Sequence, residues 1–312
     1  MSRRSLAIDL TVNRGGIRGR FAPSPTGALH FGSLVAALAS FLEARQNQGT
    51  WLLRIEDIDG PRAEPGATDA ILRALDRHGL HWDESVWYQS QRQDCYRETL
   101  ERLLHLDLAY PCTCTRRELA SHPIRAHDGS PIYPGYCQNG VCQPGRPAAI
   151  RLRVANTPVV FQDALRGHQE QCLEREVGDF VIRRADGLFA YQLAVVVDDA
   201  AQGITQVVRG GDLLDSTPRQ IYLQNLLSLP TPTYAHLPVA LDQHGYKLSK
   251  QSGAAPLDLD QPGSALWSAL HFLGQNPPPD LNGEPPTTIL AWAHAHWRLE
   301  QVPAVPAMPM HR

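Results

Sequence analysis

The expected fold of this 312-residue chain follows from one segment, Arg20-Phe21-Ala22-Pro23-Ser24-Pro25-Thr26-Gly27-Ala28-Leu29-His30-Phe31-Gly32-Ser33. It follows a short apolar run at 17–22, and a second run at 51–55 reads as another buried strand. Between the two, apolar residues keep the i, i+3, i+4 spacing of a helix: Leu34, Ala37, Leu38, Phe41 and Leu42. A Gly- and Pro-rich turn before a helix lets backbone N–H groups approach a phosphate. The segment therefore predicts a nucleotide-binding α/β unit.

The rest of the chain continues this alternation of strand and helix. Helical spacing predicts helices at 69–78, 91–105, 217–227, 264–273 and 287–297, and apolar runs predict strands at 150–154, 159–163, 204–209 and 236–241. We expect capping boxes of Ser90 with Gln93 and of Thr217 with Gln220. The Asp186-Gly187 turn predicts a hairpin between residues 180–184 and 188–197. The alternation as a whole predicts a Rossmann-type, doubly wound parallel sheet of the α/β class.

A change of composition divides the chain into parts. Cysteine, proline and glycine cluster between Tyr110 and about Gly178, and we interpret this region as an α+β insertion into the catalytic sheet. The expected division is a flexible extension at 1–16, the two halves of the catalytic domain at 17–109 and 180–245, the insertion at 110–179, a lysine-bearing loop with a helical C-terminal subdomain at 246–300, and a disordered tail at 301–312.

Composition and charge narrow the class of protein. No apolar run approaches the roughly 20 residues that a bilayer span requires, so we expect a cytoplasmic protein without a membrane partner. The net charge of -3 means that local basic patches must hold any polyanion. The 29 basic residues include two lysines, Lys247 and Lys250, in one tetrapeptide. A flexible ammonium can follow a moving phosphate, which a planar guanidinium does poorly.

Acidic residues close the second predicted strand. In Leu53-Arg54-Ile55-Glu56-Asp57-Ile58-Asp59 the strand ends in three carboxylates. Ligands of open α/β sheets bind at the carboxyl ends of the strands. A carboxylate at this position suits an ammonium group, so these residues predict a ligand-binding edge.

Cysteine spacing inside the insertion favours a metal site. Cys112-Thr113-Cys114 followed by Cys137 provides three thiolates for tetrahedral zinc, and a structural site needs a fourth ligand. The candidates for the fourth ligand are Tyr133, His127, Tyr136 and Cys142. Coordination rules alone favour Cys142 or His127, because a phenolate is an unusual zinc ligand.

These motifs together resemble the glutamyl and glutaminyl branch of the class I aminoacyl-tRNA synthetases. Residues 23–33 resemble the stretch with the HIGH motif, although Phe31 and Ser33 replace its second and fourth residues. Lys247-Leu248-Ser249-Lys250-Gln251 resembles the KMSKS loop. The resemblance implies glutamate binding by Arg20, Ser24, Glu56, Tyr191 and Arg209, and binding of ATP with Mg²⁺ by His30, Gly32, Lys247 and Lys250. It implies L-glutamate as a substrate and a glutamyl-adenylate intermediate.

Chain length and the zinc pattern resemble the short members of this family. About 60 residues follow Lys250, whereas an ordinary glutamyl-tRNA synthetase continues into an anticodon-binding domain. The short members use Cys-x-Cys followed by Tyr-x-x-x-Cys to hold one structural zinc ion, which implies Cys112, Cys114, Tyr133 and Cys137 here. The implied partner is tRNA(Asp) carrying queuosine, whose cyclopentene-diol would accept the glutamyl group. We expect a monomer.

Three other functions stay open on sequence alone. A truncated glutamyl-tRNA synthetase would charge the 3′ end of tRNA. A small-molecule nucleotidyltransferase of the same superfamily would leave Glu56, Tyr191 and Arg209 without a common purpose. A zinc-containing RNA-binding module with an inactive site would not need both lysines.

Overall fold

The structure is a computed structural model and describes residues 16–126, 129, 131–248 and 255–310. Its strands are β1 Arg18–Phe21, β2 Thr50–Ile55, β3 Trp87–Tyr88, β4 Ala109–Cys112, β5 Ala149–Leu152, β6 Pro158–Asp163, β7 Gly167–Cys172, β8 Phe180–Arg183, β9 Gln206–Gly210, β10 Thr233–Leu237, β11 Val239–Leu241 and β12 Ala307–Pro309. Its helices are α1 Phe31–Gln46, α2 Ala67–Arg77, α3 Gln93–His105, α4 Arg116–Ala120, α5 Leu173–Glu176, α6 Tyr191–Ala201, α7 Thr217–Leu227, α8 Pro262–Phe272 and α9 Pro286–His296.

A mostly parallel arrangement of strands forms the centre of the fold. β1, β2 and β3 pair in parallel, and so do β9, β10 and β6, with β7 antiparallel at the outer edge. The two groups meet where the backbone N–H of Thr205 donates to the carbonyl oxygen of Arg18 at 3.0 Å. The predicted mixture of parallel strands and helices is confirmed.

Alternating side chains bury both faces of these strands. Trp51 and Leu53 of β2 lie in a core with α1, α8 and α9, whereas Leu52 points into a second core with α3, α6 and α7. In β9, Val208 lies in the first of these cores and Val207 lies in the second. Because successive side chains of a strand point to opposite faces, helices cover the sheet on both sides.

The inserted region is only partly separate from the core. β4, β5 and β8 form an antiparallel sheet of their own, as an insertion would. However, β6 pairs in parallel with β10, so Tyr234 lies opposite Asp163. The structure therefore differs from the expected boundary at 110–179, because β6 and β7 extend the catalytic sheet.

The predicted hairpin after residue 180 is wrong in its second half. The turn forms, with the backbone N–H of Arg184 donating to the carbonyl oxygen of Leu188 at 2.8 Å. The chain then enters helix α6 at Tyr191 rather than a second strand. Residues 193–199 are all buried, so the run has no polar face to reveal a helical period.

Both predicted capping boxes are wrong, although the helices exist. Ser90 donates its backbone N–H and its hydroxyl to Asp57, at 2.8 and 2.6 Å, and α3 begins at Gln93. At α7, the side chains of Thr217 and Gln220 accept hydrogen bonds from Arg209 instead. In both cases a charged side chain, the carboxylate of Asp57 or the guanidinium of Arg209, takes the groups that local sequence would have used as caps.

Residues 302–310 pack against the rest of the fold, which differs from the disordered tail predicted at 301–312. β12 pairs in parallel with β11, and the backbone N–H of Met310 donates to the carbonyl oxygen of Leu241 at 3.0 Å. Val302 is buried in the core that contains α8 and α9. Residues 311 and 312 lie outside the described part of the chain.

Within the described ranges, no helix is both long and apolar enough to cross a bilayer.

A network of buried charges joins β1, β2 and α6. Arg54 on β2 is fully buried, and its NH1 lies 2.7 Å from Oδ1 of Asp199 while its NH2 lies 3.2 Å from Oε1 of Glu56. Arg20 on β1 shares the Asp199 carboxylate, with Nε 3.3 Å from Oδ1. Burial opposes the charge of Arg54, but Asp199, Glu56 and Asp198 raise its pKa above the usual value. The charged form of Arg54 is therefore secured by three carboxylates.

Replacing Arg54 should destabilise the protein strongly. Arg54→Met leaves Asp198, Asp199 and Glu56 with less positive charge nearby, and we expect the free energy of unfolding to fall by about 3–5 kcal/mol. Chemical denaturation measures this loss. In the control Arg97→Met, an exposed pair with Asp94 is lost, and the expected change is below about 1 kcal/mol. Equal losses in the two variants would show that the buried network adds nothing beyond a surface pair.

Removing β12 should also be measurable. Deleting residues 304–312 removes the paired strand and Met308 from the core, which we expect to cost about 2 kcal/mol. With an unfolding entropy of about 2.1 cal/mol/K per residue over 312 residues, the melting temperature should fall by about 3 °C. Deleting residues 311–312 alone is the matched control and should leave it unchanged. An unchanged melting temperature in the longer deletion would restore the disordered tail.

Candidate active site

A large cavity of about 1160 Å³ opens at the carboxyl ends of β1, β2 and β9. Every predicted glutamate- or ATP-binding residue that the structure describes lines it: Arg20, Ser24, His30, Gly32, Glu56, Tyr191, Arg209 and Lys247. These residues are spread over more than 200 positions of sequence, from Arg20 to Lys247. The fold therefore brings the separate motifs together at one concave surface, of the size that holds small-molecule ligands.

Arg209, on β9, is a buried guanidinium held by neutral groups. Its NH1 donates to the hydroxyl of Tyr191 at 3.2 Å, and its Nε donates to Nε2 of His236 at 3.1 Å. Its NH2 donates to the side chains of Thr217 and Gln220 at 2.8 and 2.9 Å. Among the residues in the described ranges, no carboxylate pairs with Arg209. Its positive charge is therefore uncompensated and suits an anionic ligand.

Glu56 and Arg20 belong to the balanced charge network described above. Burial raises the pKa of Glu56, and Arg54 and Arg20 partly oppose that effect. The backbone N–H of Glu56 donates to the carbonyl oxygen of Pro23 at 3.0 Å, which fixes the end of β2 against the first motif. One oxygen of Glu56 contacts Arg54, so the other oxygen can accept from a ligand.

His30 and Gly32 form the start of α1. His30 is the N-cap residue, and its carbonyl oxygen accepts the backbone N–H of Leu34 at 3.0 Å. A Cβ atom on Gly32 would lie 3.2 Å from Cε1 of the His30 ring, so a larger residue would press on the imidazole. The first turn of a helix has free N–H groups and a dipole that favours phosphate.

Lys247 lines the same cavity and pairs with an acid. Its Nζ lies 2.7 Å from Oδ2 of Asp212, and both side chains are partly exposed. The backbone N–H of the next residue, Leu248, donates to the carbonyl oxygen of Ala240 at 2.9 Å, which attaches this segment to β11. Ser249, Lys250 and Gln251 lie outside the described residues.

Three cysteines of the inserted region converge beside the cavity. The sulfur atoms of Cys112, Cys114 and Cys137 all lie within 4.8 Å of one another, and those of Cys114 and Cys137 are 3.7 Å apart. A tetrahedral zinc site with zinc–sulfur bonds of about 2.3 Å separates its sulfurs by about 3.8 Å. Although burial opposes ionisation of Cys137, hydrogen bonds to its sulfur lower the pKa of this thiol to about 6. The donor set fits zinc.

The described candidates for the fourth ligand differ in their surroundings. The hydroxyl of Tyr133 is 3.3 Å from Sγ of Cys112 and accepts the backbone N–H of Cys137 at 2.8 Å, in a buried position. Cys142 is exposed, with Sγ 3.4 Å from Sγ of Cys137. Tyr136 is 57% exposed. His127 lies outside the described residues.

Several residues around the cavity were not assigned a role from sequence. Arg54, Asp198 and Asp199 support Arg20 and Glu56, while Asp163 and His236 lie behind Arg209. One signal was present: Asp163 ends the strand predicted at 159–163, and His236 begins the strand predicted at 236–241. A charged or titratable residue within a buried strand must find a partner.

Comparison with known families assigns residues 16–277 to "tRNA synthetases class I (E and Q), catalytic domain". The glutamyl-Q tRNA(Asp) synthetase of Ectopseudomonas mendocina is 54% identical over 285 residues, which cover 91% of this chain and 94% of the relative. The glutamyl-Q tRNA(Asp) synthetase of Aromatoleum aromaticum is 56% identical and covers 91% of this chain and 90% of the relative.

Two solved structures share the fold. The glutamate-tRNA synthetase of Elizabethkingia anophelis has a TM-score of 0.75 at 25% identity and covers 94% of this chain and 68% of that one. A glutamate tRNA ligase from Elizabethkingia meningosepticum, in complex with its amino acid, has a TM-score of 0.76 at 24% identity, with coverage of 95% and 67%. With these likenesses and the converging motifs, the chain belongs to the glutamyl-Q tRNA(Asp) synthetase family and is a class I synthetase-like ligase.

Proposed function

We propose that the protein activates L-glutamate with ATP to glutamyl-adenylate and transfers the glutamyl group to queuosine in the anticodon loop of tRNA(Asp). The observation that carries the first half is the uncompensated charge of Arg209 in the same cavity as Glu56, His30 and Lys247. The printed name of the relatives, which this chain matches over at least nine-tenths of their length, supports the second half. As a ligase of tRNA, the protein would act in the cytoplasm as a monomer.

Glutamate carries charges that match the two ends of the pocket. Arg209 and the hydroxyl of Tyr191 would bind the γ-carboxylate. Glutamine would be rejected because its amide brings no negative charge to offset the buried guanidinium. Glu56, with Arg20 and Ser24 beside it, would face the α-ammonium and α-carboxylate. The pocket would thus bind both the side-chain carboxylate and the α-ammonium and α-carboxylate groups of glutamate.

Adenylation would use the part of the cavity that His30 and Lys247 line. An oxygen of the glutamate α-carboxylate attacks the α-phosphorus of ATP, and the bond from that phosphorus to the bridging oxygen breaks to release pyrophosphate. His30, the N–H groups at the start of α1, Lys247 and Lys250 would stabilise the developing charge on the phosphates, with Mg²⁺ accompanying ATP. No covalent bond to the protein is required.

Transfer to tRNA completes the reaction. A hydroxyl oxygen of the queuosine diol attacks the carbonyl carbon of glutamyl-adenylate, the hydroxyl loses its proton, and AMP leaves. The product is an ester on the modified base. The inserted region would contact the RNA that delivers this hydroxyl, and this is supported by Cys112, Thr113 and Arg116, which line the same cavity.

We assign the cysteine cluster to one structural zinc ion held by Cys112, Cys114, Cys137 and Tyr133. The sulfur spacing supports the three thiolates, and the buried position of the Tyr133 hydroxyl beside Cys112 supports the phenol oxygen over the exposed Cys142. Zinc here would fix the loop that contains α4, which begins two residues after Cys114.

Labelled glutamate tests the proposed acceptor. With ATP, label should transfer to tRNA(Asp) that contains queuosine and not to matched tRNA(Asp) prepared without it, since only the former offers the diol. Label at the 3′ end of tRNA(Glu) would instead identify an ordinary synthetase. Lack of glutamate-dependent pyrophosphate exchange would remove the first half of the proposal.

Arg209→Met should abolish glutamate recognition, because it removes the charge that binds the γ-carboxylate. We expect kcat/KM for glutamate to fall on the order of a hundredfold or more, equivalent to about 3 kcal/mol. Glutamate-dependent pyrophosphate exchange measures the change. Arg175→Met, an exposed substitution on α5, is the control and should behave as the parent protein. A value close to the parent in Arg209→Met would exclude Arg209 as the carboxylate ligand.

Zinc content tests the metal ligands. We expect one zinc ion per chain in the parent protein and in Cys142→Ser, but less in Cys112→Ser and in Tyr133→Phe, because only the last two lose a ligand. Elemental analysis after dialysis provides the measurement. If Tyr133→Phe retained its zinc and Cys142→Ser lost it, the fourth ligand would be Cys142 and not Tyr133.

A further inference from the structure

Arg209 is bonded to a pair of buried residues that lies on the far side from the cavity. Nδ1 of His236 lies 2.6 Å from Oδ2 of Asp163, and Nε2 of His236 accepts from Nε of Arg209 at 3.1 Å. Asp163 is 1% exposed and His236 is completely buried. The three residues come from β6, β10 and β9, which are adjacent in the sheet, so the chain of hydrogen bonds crosses three neighbouring strands.

The contacts of Asp163 determine which nitrogen of His236 carries the proton. Oδ1 of Asp163 accepts the backbone N–H groups of Leu165, Arg166 and His236, at 3.0, 2.8 and 3.2 Å. Its Oδ2 faces Nδ1 of His236. Because an ionised carboxylate only accepts hydrogen bonds, Nδ1 must be the protonated nitrogen and Nε2 must be the free acceptor.

This arrangement gives the Nε–H of Arg209 a hydrogen-bond acceptor without placing a carboxylate against the guanidinium. A carboxylate in direct contact with Arg209 would also accept its Nε–H, but it would neutralise the guanidinium, as Asp199 does for Arg20 and Arg54. Here the imidazole ring of His236 separates the carboxylate of Asp163 from the guanidinium of Arg209. Burial lowers the pKa of His236, so the ring stays neutral and does not repel Arg209.

We propose that Asp163 and His236 are positioning residues that fix the guanidinium of Arg209 and keep its charge available for the side-chain carboxylate of the substrate. Resting on the proposed function, this extends the glutamate site to two residues that do not line the cavity. Discrimination between glutamate and glutamine would then depend on Arg209 and also on two hydrogen bonds behind it. In these, Nε–H of Arg209 donates to His236, and Nδ1–H of His236 donates to Asp163.

The substitution Asp163→Asn tests the direction of the hydrogen bonds. The amide oxygen should stay with the three backbone N–H groups, which leaves the amide NH₂ to donate to Nδ1 of His236. The proton must then move to Nε2, where it opposes the Nε–H of Arg209. A wrong tautomer is damaging in this way in catalytic triads. We expect KM for glutamate to rise on the order of tenfold while KM for ATP is unchanged.

Substitutions of His236 provide the matched pair. In His236→Gln the side-chain oxygen can accept from Arg209 whatever Asp163 does, so KM for glutamate should stay within about threefold of the parent. In His236→Leu the Nε–H of Arg209 loses its acceptor, and KM should rise as in Asp163→Asn. The double variant with Asp163→Asn and His236→Gln should have the same KM for glutamate as His236→Gln alone. The two substitutions would then be non-additive, which is the mark of strong coupling in a double-mutant cycle.

Two readouts separate this role from simple structural support. Pyrophosphate exchange gives KM for glutamate and ATP separately, and ¹⁵N spectra of labelled histidines report whether Nδ1 or Nε2 carries the proton, with His236→Gln identifying the signal. Equal changes in both KM values, additive effects, or an unchanged tautomer in Asp163→Asn would overturn the proposal. Absence of exchange in the parent protein would instead refute the proposed function, and the spectra would still test the tautomer.

Discussion

Burying arginine at the carboxyl ends of parallel strands is the constraint on which the rest of the site depends. A guanidinium has five N–H donors and a permanent charge, so its burial requires several acceptors. Arg20 and Arg54 receive them from Asp199 and Glu56. Arg209 receives neutral acceptors instead. The same cavity thus contains a balanced charge network and an unbalanced arginine, which makes the Arg209 side attractive to an anion.

This need for acceptors also shapes the fold around the cavity. Asp198 and Asp199 reach the network because the segment before them is a helix rather than the second strand of a hairpin. Asp163 reaches His236 because β6 leaves the inserted region and joins the catalytic sheet. The fold therefore draws acceptors from segments distant in sequence, and the inserted region is joined to Arg209 through His236 as well as containing its own cysteine cluster.

The parts that sequence could predict are those in which several informative residues are adjacent. Residues 20–33 and 53–59 each combine a strand end with a recognisable string, so their place at one edge could be inferred. The converging cysteines could be expected from spacing alone. In contrast, His236 and Asp163 are 73 positions apart and meet through strand pairing, which leaves no local pattern. Helix α6 was missed because burial on all sides removes the helical period, and the capping boxes failed because Arg209 and Asp57 offered better partners.

The position of β11 links the chain's last described residues to the lysine-bearing segment. On one side β11 pairs with β12, and on the other Leu241 bridges to Lys247. Met310 and Leu248 line the same small cavity, together with Phe31 from the start of α1. An affinity tag fused after Arg312 would therefore be separated by two residues from Met310, which borders the same small cavity as Leu248.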